Sequence, residues 1–200
     1  MDNAVVSDLS DVDAEPTVER LQPREVLNGQ IHLAPYDPEW PRLFEREAAR
    51  IRETLGDRAL MVEHVGSTSI AGLAAKPKID IDLVVADTTD EQAYLPDMEA
   101  AGYVLHIREH DWHEHRFFKG PDTDVNLHTF TIGCLEIERM LRFRDHLRAD
   151  SADRQLYENK KRELAARKWK YTQNYADAKT TIVEEILARS GVTATQCIRH

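Results

Sequence analysis

The sequence predicts a single α+β domain in which a mixed β-sheet of about five strands is flanked by helices and closed by a C-terminal helical layer. Three observations lead there. The apolar patterns run helix, then strands at mixed spacing, then clustered helices, instead of the regular β-α alternation of a doubly wound sheet. A length of 200 residues with 42% hydrophobic residues supports one sizeable core. No internal repeat or low-complexity tract divides the chain.

Residues 1–28 carry scattered acids, two prolines and no sustained apolar period, so they read as an acidic, unstructured extension. The domain is expected over 29–190, with 191–200 as a tail. Asp37 suits a helix cap, Pro38 the first helical position and Glu39 the positive end of the helix dipole. The following stripe of Trp40, Leu43, Phe44, Ala48, Ile51 and Leu55 predicts a helix that stops at Gly56. Leu60 to Val65 and Ile79 to Val85 read as strands around a loop that holds at most a short helix. Thr88 to Ala101 is predicted helical, and Tyr103 to Ile107, His115 to Lys119 and Asp124 to Thr131 extended, with Gly120-Pro121-Asp122 as a turn. Leu135 to Arg148, Asp153 to Lys168 and Tyr171 to Arg189 are predicted helices.

The formal charge of −10 argues against a general polynucleotide ligand. Its distribution is uneven. Residues 30–140 hold 21 acids and 11 bases, whereas 141–181 hold six acids and 11 bases. No apolar run reaches the roughly 20 residues of a membrane span, and the acidic N-terminus is unlike a secretory leader. A cytoplasmic protein with a small-molecule substrate and no membrane partner is expected. Cys134 and Cys197 lack CxxC spacing and predict neither a disulfide nor a thiolate metal site. The cluster from His110 to Arg116 matches no zinc-site spacing, although Arg116 can reach a site on the sheet.

Two chemical devices stand about a dozen residues apart. Gly66, directly after a strand, lets the backbone turn sharply toward a phosphate, and Ser67, Thr68 and Ser69 offer hydroxyls beside free amides. In the strand Ile79 to Val85, alternation puts Asp80 and Asp82 on one face, where adjacent carboxylates can hold a hard divalent cation. Either device alone is common; a solvated strand face would explain a lone Asp-x-Asp. Their combination is the informative feature. Arg144 and Arg148, one helical turn apart, can grip phosphate, with Lys76, Lys160 and Lys179 as further cations; the plain alternative is a solvated surface, with Arg144 paired to Glu136.

This combination resembles the nucleotidyltransferase fold, and the contexts Tyr36 to Trp40, Glu63 to Ser69, Asp124 to His128, Phe143 to Arg148, Tyr157 to Lys160 and Tyr175 to Lys179 resemble the GrpB family over residues 31–189. The resemblance implies Asp80 and Asp82 as ligands of Mg²⁺, the Gly-Ser loop as a phosphate contact, and a nucleoside triphosphate, ATP by expectation, as donor to a small acceptor. A third carboxylate is usual on the later strand, which here reads Asp124-Val125-Asn126-Leu127-His128. His128 can accept a proton or bind metal there, and Asp124 can supply the acid under a different register. An ATP-using ligase on a small carboxylate and a non-catalytic nucleotide or metabolite-binding module are the alternatives.

Overall fold

Ile79–Val85 becomes the centre of the sheet because its two faces carry opposite chemistry: Ile79, Ile81 and Leu83 bury completely on one side while Asp80 and Asp82 point to the other. The computed structural model describes residues 18–190. Within them β1 (Val18–Arg20), β5 (Val104–Glu109), β6 (His115–Lys119), β7 (Val125–Thr131), β4 (Ile79–Val85) and β3 (Met61–Val65) form one six-stranded sheet in the spatial order β1-β5-β6-β7-β4-β3. The β4–β7 pairing is parallel and the others are antiparallel. A second, two-stranded antiparallel ribbon joins β2 (Val26–Gly29) to β8 (Trp169–Tyr171).

One face of the sheet packs on α1 (Trp40–Leu55) and α2 (Leu95–Ala100), enclosing Phe44, Ile51, Met98, Phe118 and Leu127 with the β4 isoleucines. Full burial of each large apolar side chain there contributes roughly 1.5–3 kcal/mol. The opposite face lies under α3 (Leu135–Ala149), α4 (Ser151–Ala165), α5 (Thr172–Asp177) and α6 (Thr180–Arg189). Ile70 and Leu73 pack there with Leu147, Tyr157 and Ile186, and Ile31 packs with Leu164 and Tyr175. The result is an α+β domain with a mixed sheet between a short helical layer and a C-terminal helical layer.

Several expectations need correction. The expected extension over 1–28 contains β1 and β2, so the main sheet has six strands and not five; residues 1–17 and 191–200 lie outside the described residues. Three- and four-residue strands have too few alternations to register as a period. The helix expected over Thr88 to Ala101 contracts to a 3₁₀ turn at Glu91–Ala93 followed by α2, because Asp87 holds Thr89 in a turn and Pro96 confines the helix to its own first turn. Ser151 starts α4 two residues before the expected Asp153, since Asp150 accepts from the Ala152 and Asp153 amides. The long helix expected from Tyr171 is instead β8, α5 and α6, because Val26 recruits Tyr171 into the ribbon. Asp37 accepts from the Glu39 amide at 2.9 Å but caps the turn before α1, whose own cap is Glu39.

Among the described residues no helix is long and apolar enough to cross a membrane. The layout predicts that removing residues 1–29 leaves the α1–sheet–α2 core folded and cooperative while stripping the β5 edge and the β2–β8 ribbon. Thermal melts followed by circular dichroism should show a retained sigmoidal transition at a lower midpoint, with ~2–4 °C lost for each kcal/mol. Loss of cooperativity would mean that the ribbon is integral to the core.

Candidate functional site

The Gly-Ser loop is set against β4 by the one residue type that permits it. Gly66 has φ +67°, and a Cβ there would stand 2.9 Å from both Cβ and Cγ of Asp80. The loop then closes as a 3₁₀ turn, Ser67–Ser69, in which Ser69 Oγ donates to Gly66 O at 2.7 Å. Thr68 faces inward, donating to Lys78 O at 3.1 Å, with its hydroxyl also 3.1 Å from His64 Nε2.

Register then assembles the acidic face. Asp80 pairs with Asn126 and Asp82 with His128 across the parallel β4–β7 ladder, while Glu63 on β3 stands opposite Asp82. Asn126 Nδ2 donates to Asp80 Oδ1 at 2.7 Å, and Lys119 Nζ donates to Asn126 Oδ1 at 2.6 Å. Asp82 is fully buried, and neither of its oxygens has a hydrogen-bond partner among the described residues. Burial, then the Asp80 and Glu136 carboxylates, push the Asp82 carboxyl well above its usual range. Burial raises Asp80 as well, against the Asn126 bond and the charges of Lys76 and Lys179.

Beside this face lies a cavity of about 610 Å³ between the sheet, the Gly-Ser loop, the β1–β2 connection and α4–α5. Asp80 lines it; Asp82 sits one pleat further along β4, outside the lining. The walls carry seven cations (Arg20, Arg24, Lys76, Lys78, Lys119, Lys161 and Lys179) against Glu25, Asp80 and Asp124. Lys179 and Lys76 stand over the Tyr175 ring at 4.9 and 5.8 Å, and the buried Tyr175 hydroxyl has no partner among the described residues. Burial, then Lys179, lower Lys161 to about 7 and Lys76 to about 8. Mutual repulsion in a half-buried wall is the setting a polyanion relieves.

The residues singled out from the sequence divide. Ser67, Thr68, Lys76, Asp80, His128 and Lys179 line the cavity, as do Asp124 and Asn126. Arg144 and Arg148 support the loop instead: Arg144 donates to His64 O at 3.0 Å and binds Glu63 at 2.7 Å, not Glu136, and Arg148 donates to Ser69 O at 2.9 Å. Arg116 does not reach the site. It pairs with Thr129 on the opposite face of the sheet and binds Glu91 at 2.7 Å. Lys160 is on the outer side of α4, bound to Glu163 at 2.9 Å, whereas its neighbour Lys161 is buried and donates to Ala74 O. Spacing could have found Lys161, since Asp153, Tyr157 and Lys161 follow each other at i,i+4 on the buried face of α4.

The donor set suits a hard divalent cation. Two adjacent carboxylates, one with both oxygens unpartnered, supply the oxygen ligands Mg²⁺ prefers, and such an ion completes its shell with water and phosphate oxygens and not with an all-protein cage. Among the described residues, three His, Cys, Asp or Glu ligand atoms within 4.8 Å of one another occur at His146, Asp150 and Asp153 and not around Asp80 and Asp82. At that other cluster Asp153 is already neutralised by Arg189 at 2.6 Å and bonded to His146 at 2.7 Å.

The family model for GrpB protein matches residues 30–189. The chain belongs to the GrpB family. A UPF0157 protein of Halalkalibacterium halodurans is 59% identical over 179 residues, 90% of this chain and 90% of that one. A UPF0157 protein of Streptomyces coelicolor is 44% identical over 171 residues, covering 84% and 90%. The crystal structure of conserved protein GrpB from Enterococcus faecalis superposes with TM-score 0.64 at 27% identity, covering 80% of this chain and 96% of that one. There is also a distant likeness to the Cid1 poly(U) polymerase, with TM-score 0.39 at 13% identity over 58% of this chain. The GrpB match begins at residue 30, so β1 and β2 lie on its N-terminal side.

Two expectations follow for this GrpB chain. Because the Asp82 carboxyl is raised in the fold, its burden is absent near the ordinary value of 3.8 and grows as pH rises through the folded value. Asp82→Asn should therefore stabilise the metal-free protein at neutral pH by about 1 kcal/mol or more, with the gain fading toward acid, and should abolish any Mg²⁺-induced rise in melting temperature. Gly66→Ala should cost ~1–3 kcal/mol through its positive φ and displace Asp80, measured by urea unfolding.

Proposed function

We propose that this GrpB chain binds a nucleoside triphosphate with Mg²⁺ in the cationic cavity and transfers its nucleotidyl group to a small acceptor, with ATP as the expected donor. The observation that carries the reading is that Asp80, with Asp82 one pleat further along β4, shares a cavity with a wall of seven cations, in a chain whose formal charge is −10. A cationic pocket on an acidic body selects a compact polyanion and rejects a polynucleotide. Asp80 and Asp82 would hold Mg²⁺, which would supply neutralisation of the phosphate charge.

The chain's own residues do the rest. Gly66 brings the start of the Ser67–Ser69 turn to the cavity, where the Ser67 hydroxyl and neighbouring backbone amides would meet phosphate oxygens, the Thr68 and Ser69 hydroxyls being used within the loop. Lys76, Lys161 and Lys179 hold the polyphosphate by charge, and the Tyr175 hydroxyl supplies a donor that has no partner of its own. Lys119, through Asn126, orients Asp80 and opposes the effect of its burial. His128 accepts the acceptor's proton. The second reading, a binding module that keeps the fold without turnover, is favoured by the lack of a third ligand atom converging on Asp80 and Asp82 among the described residues. A ligase joining a small carboxylate to an amine would share the first step and differ in yielding an amide.

Calorimetric titration of ATP, GTP, CTP and UTP with Mg²⁺ into wild type and an Asp80→Ala, Asp82→Ala double variant, with pyrophosphate release followed in parallel, tests the reading. Mg²⁺-dependent binding that disappears in the variant, together with pyrophosphate release, supports transfer. Binding without release favours the module, and no binding by wild type of any triphosphate rejects transfer and leaves a metabolite-binding module in its place. Lys161, at about 7, and Lys76, at about 8, are partly neutral before the ligand arrives. Triphosphate binding raises both and should therefore take up protons, so affinity falls as pH rises through those values; titration in buffers of differing ionisation enthalpy measures the uptake. Lys161→Met should weaken binding at least roughly tenfold and remove most of that proton uptake.

A further inference from the structure

On the site face, neighbouring strands carry three side chains that the metal and phosphate contacts leave unused. Glu109 ends β5, His115 begins β6 and His128 lies in the middle of β7. Glu109 Oε2 is 2.7 Å from His115 Nδ1, and His115 Nε2 is 3.1 Å from His128 Nδ1. His115 is buried, stacked on Phe130 at 4.8 Å with Trp112 edge-on at 5.1 Å, so aromatic walls hold its ring in this plane.

The protons along this chain of bonds have one arrangement. An ionised carboxylate only accepts, so His115 Nδ1 donates to Glu109. Burial, outweighing Glu109, lowers His115 from its ordinary range and keeps the ring neutral, which leaves a lone pair on Nε2. That lone pair only accepts, so the proton between the two rings belongs to His128 Nδ1. A neutral imidazole carries a single ring proton, and this bond places it on His128 Nδ1. Its Nε2 is thus bare, on a ring that lines the cavity.

We infer that Glu109 and His115 are positioning residues that lock His128 in the Nδ1–H tautomer, leaving its Nε2 free to take the acceptor's proton. The inference rests on the transfer reading above. As the acceptor's oxygen or nitrogen forms its bond to the α-phosphorus, its proton passes to His128 Nε2. The bond from that phosphorus to the bridging oxygen breaks, and pyrophosphate leaves with the electron pair. The imidazolium so formed donates from Nδ1 to His115, whose own Nδ1–H points at the Glu109 carboxylate, so the new charge is balanced along the relay. Free neutral histidine in water prefers the opposite tautomer, with its proton on Nε2. The arrangement is therefore a property of the three residues together.

Two-bond ¹⁵N–¹H correlation spectra of uniformly ¹⁵N-labelled protein read the tautomer directly, with His128→Gln identifying the resonance. The expected wild-type result is a protonated Nδ1 and a bare Nε2 on His128. In Glu109→Gln the amide can donate to His115 Nδ1, and the His128 signal should shift toward the Nε2–H form. Pyrophosphate release should fall roughly tenfold in Glu109→Gln and by roughly 10²-fold in His128→Gln, each at unchanged triphosphate affinity. A proton on His128 Nε2 in wild type overturns the relay even where triphosphate binds, and this spectrum needs no positioning variant to fold. Failure of every triphosphate to bind would overturn the transfer reading while leaving the tautomer where the hydrogen bonds put it.

Discussion

Placing two carboxylates on the inner face of a central strand is the constraint around which this domain is arranged. β4 and β7 run parallel to each other, and each is antiparallel to its other neighbour, β4 to β3 and β7 to β6. That pairing brings Asn126 beside Asp80 and both Glu63 and His128 beside Asp82. An interior of low dielectric disfavours charge there, so each carboxylate requires compensation. Asp80 receives it from Asn126 and, one bond further, from Lys119. Asp82 has none from the chain's own hydrogen-bond donors among the described residues. The difference separates a carboxylate that the fold orients from one that the fold leaves available.

The same contrast organises the charges at larger scale. The arginines split from the lysines by geometry: Arg144 and Arg148 use their forked donors on backbone carbonyls of β3 and the loop, fixing its position, while the lysines crowd the cavity as point charges. Positioning and ligand attraction thus fall to different cation types. A chain of formal charge −10 thus encloses a cavity whose wall carries seven cations against three acids.

How much of this was legible follows from range and period. β4 matches its expected bounds and α1 its expected end at Leu55, two residues of its expected start being taken by the preceding turn, because alternation and the helical stripe are strong over seven and 16 residues. The Gly66–Asp80 contact was implicit in a glycine after a strand and an acid on the next one. β1, β2 and β8 were hidden, since three or four residues show no period and their partners lie far along the chain. Phe117 and Phe118 are both apolar, so alternation does not say which face Arg116 takes; its register with Thr129 and its ion pair with Glu91 put it on the side away from the site. Lys161 was passed over for Lys160 although Tyr157 fixes the phase of α4. Glu109 and His115 carry no signal at all in one dimension, because Glu109 meets His115 only across the β5–β6 ladder and His115 reaches His128 diagonally from β6 to β7.

The connection between β1 and β2 crosses from the β5 edge of the main sheet to the separate ribbon and forms one wall of the cavity on the way. Its anchors are a three-residue and a four-residue strand, whereas β4 and β7 share seven paired positions. Segments with so few buried contacts open at far lower free energy than the global transition and exchange their amide hydrogens accordingly. The cavity is therefore walled on one side by the most readily melted unit of the domain and on the other by its most persistent one. A molecule bridging the two sides would act as a staple, returning its binding energy as exchange protection along residues 18–29.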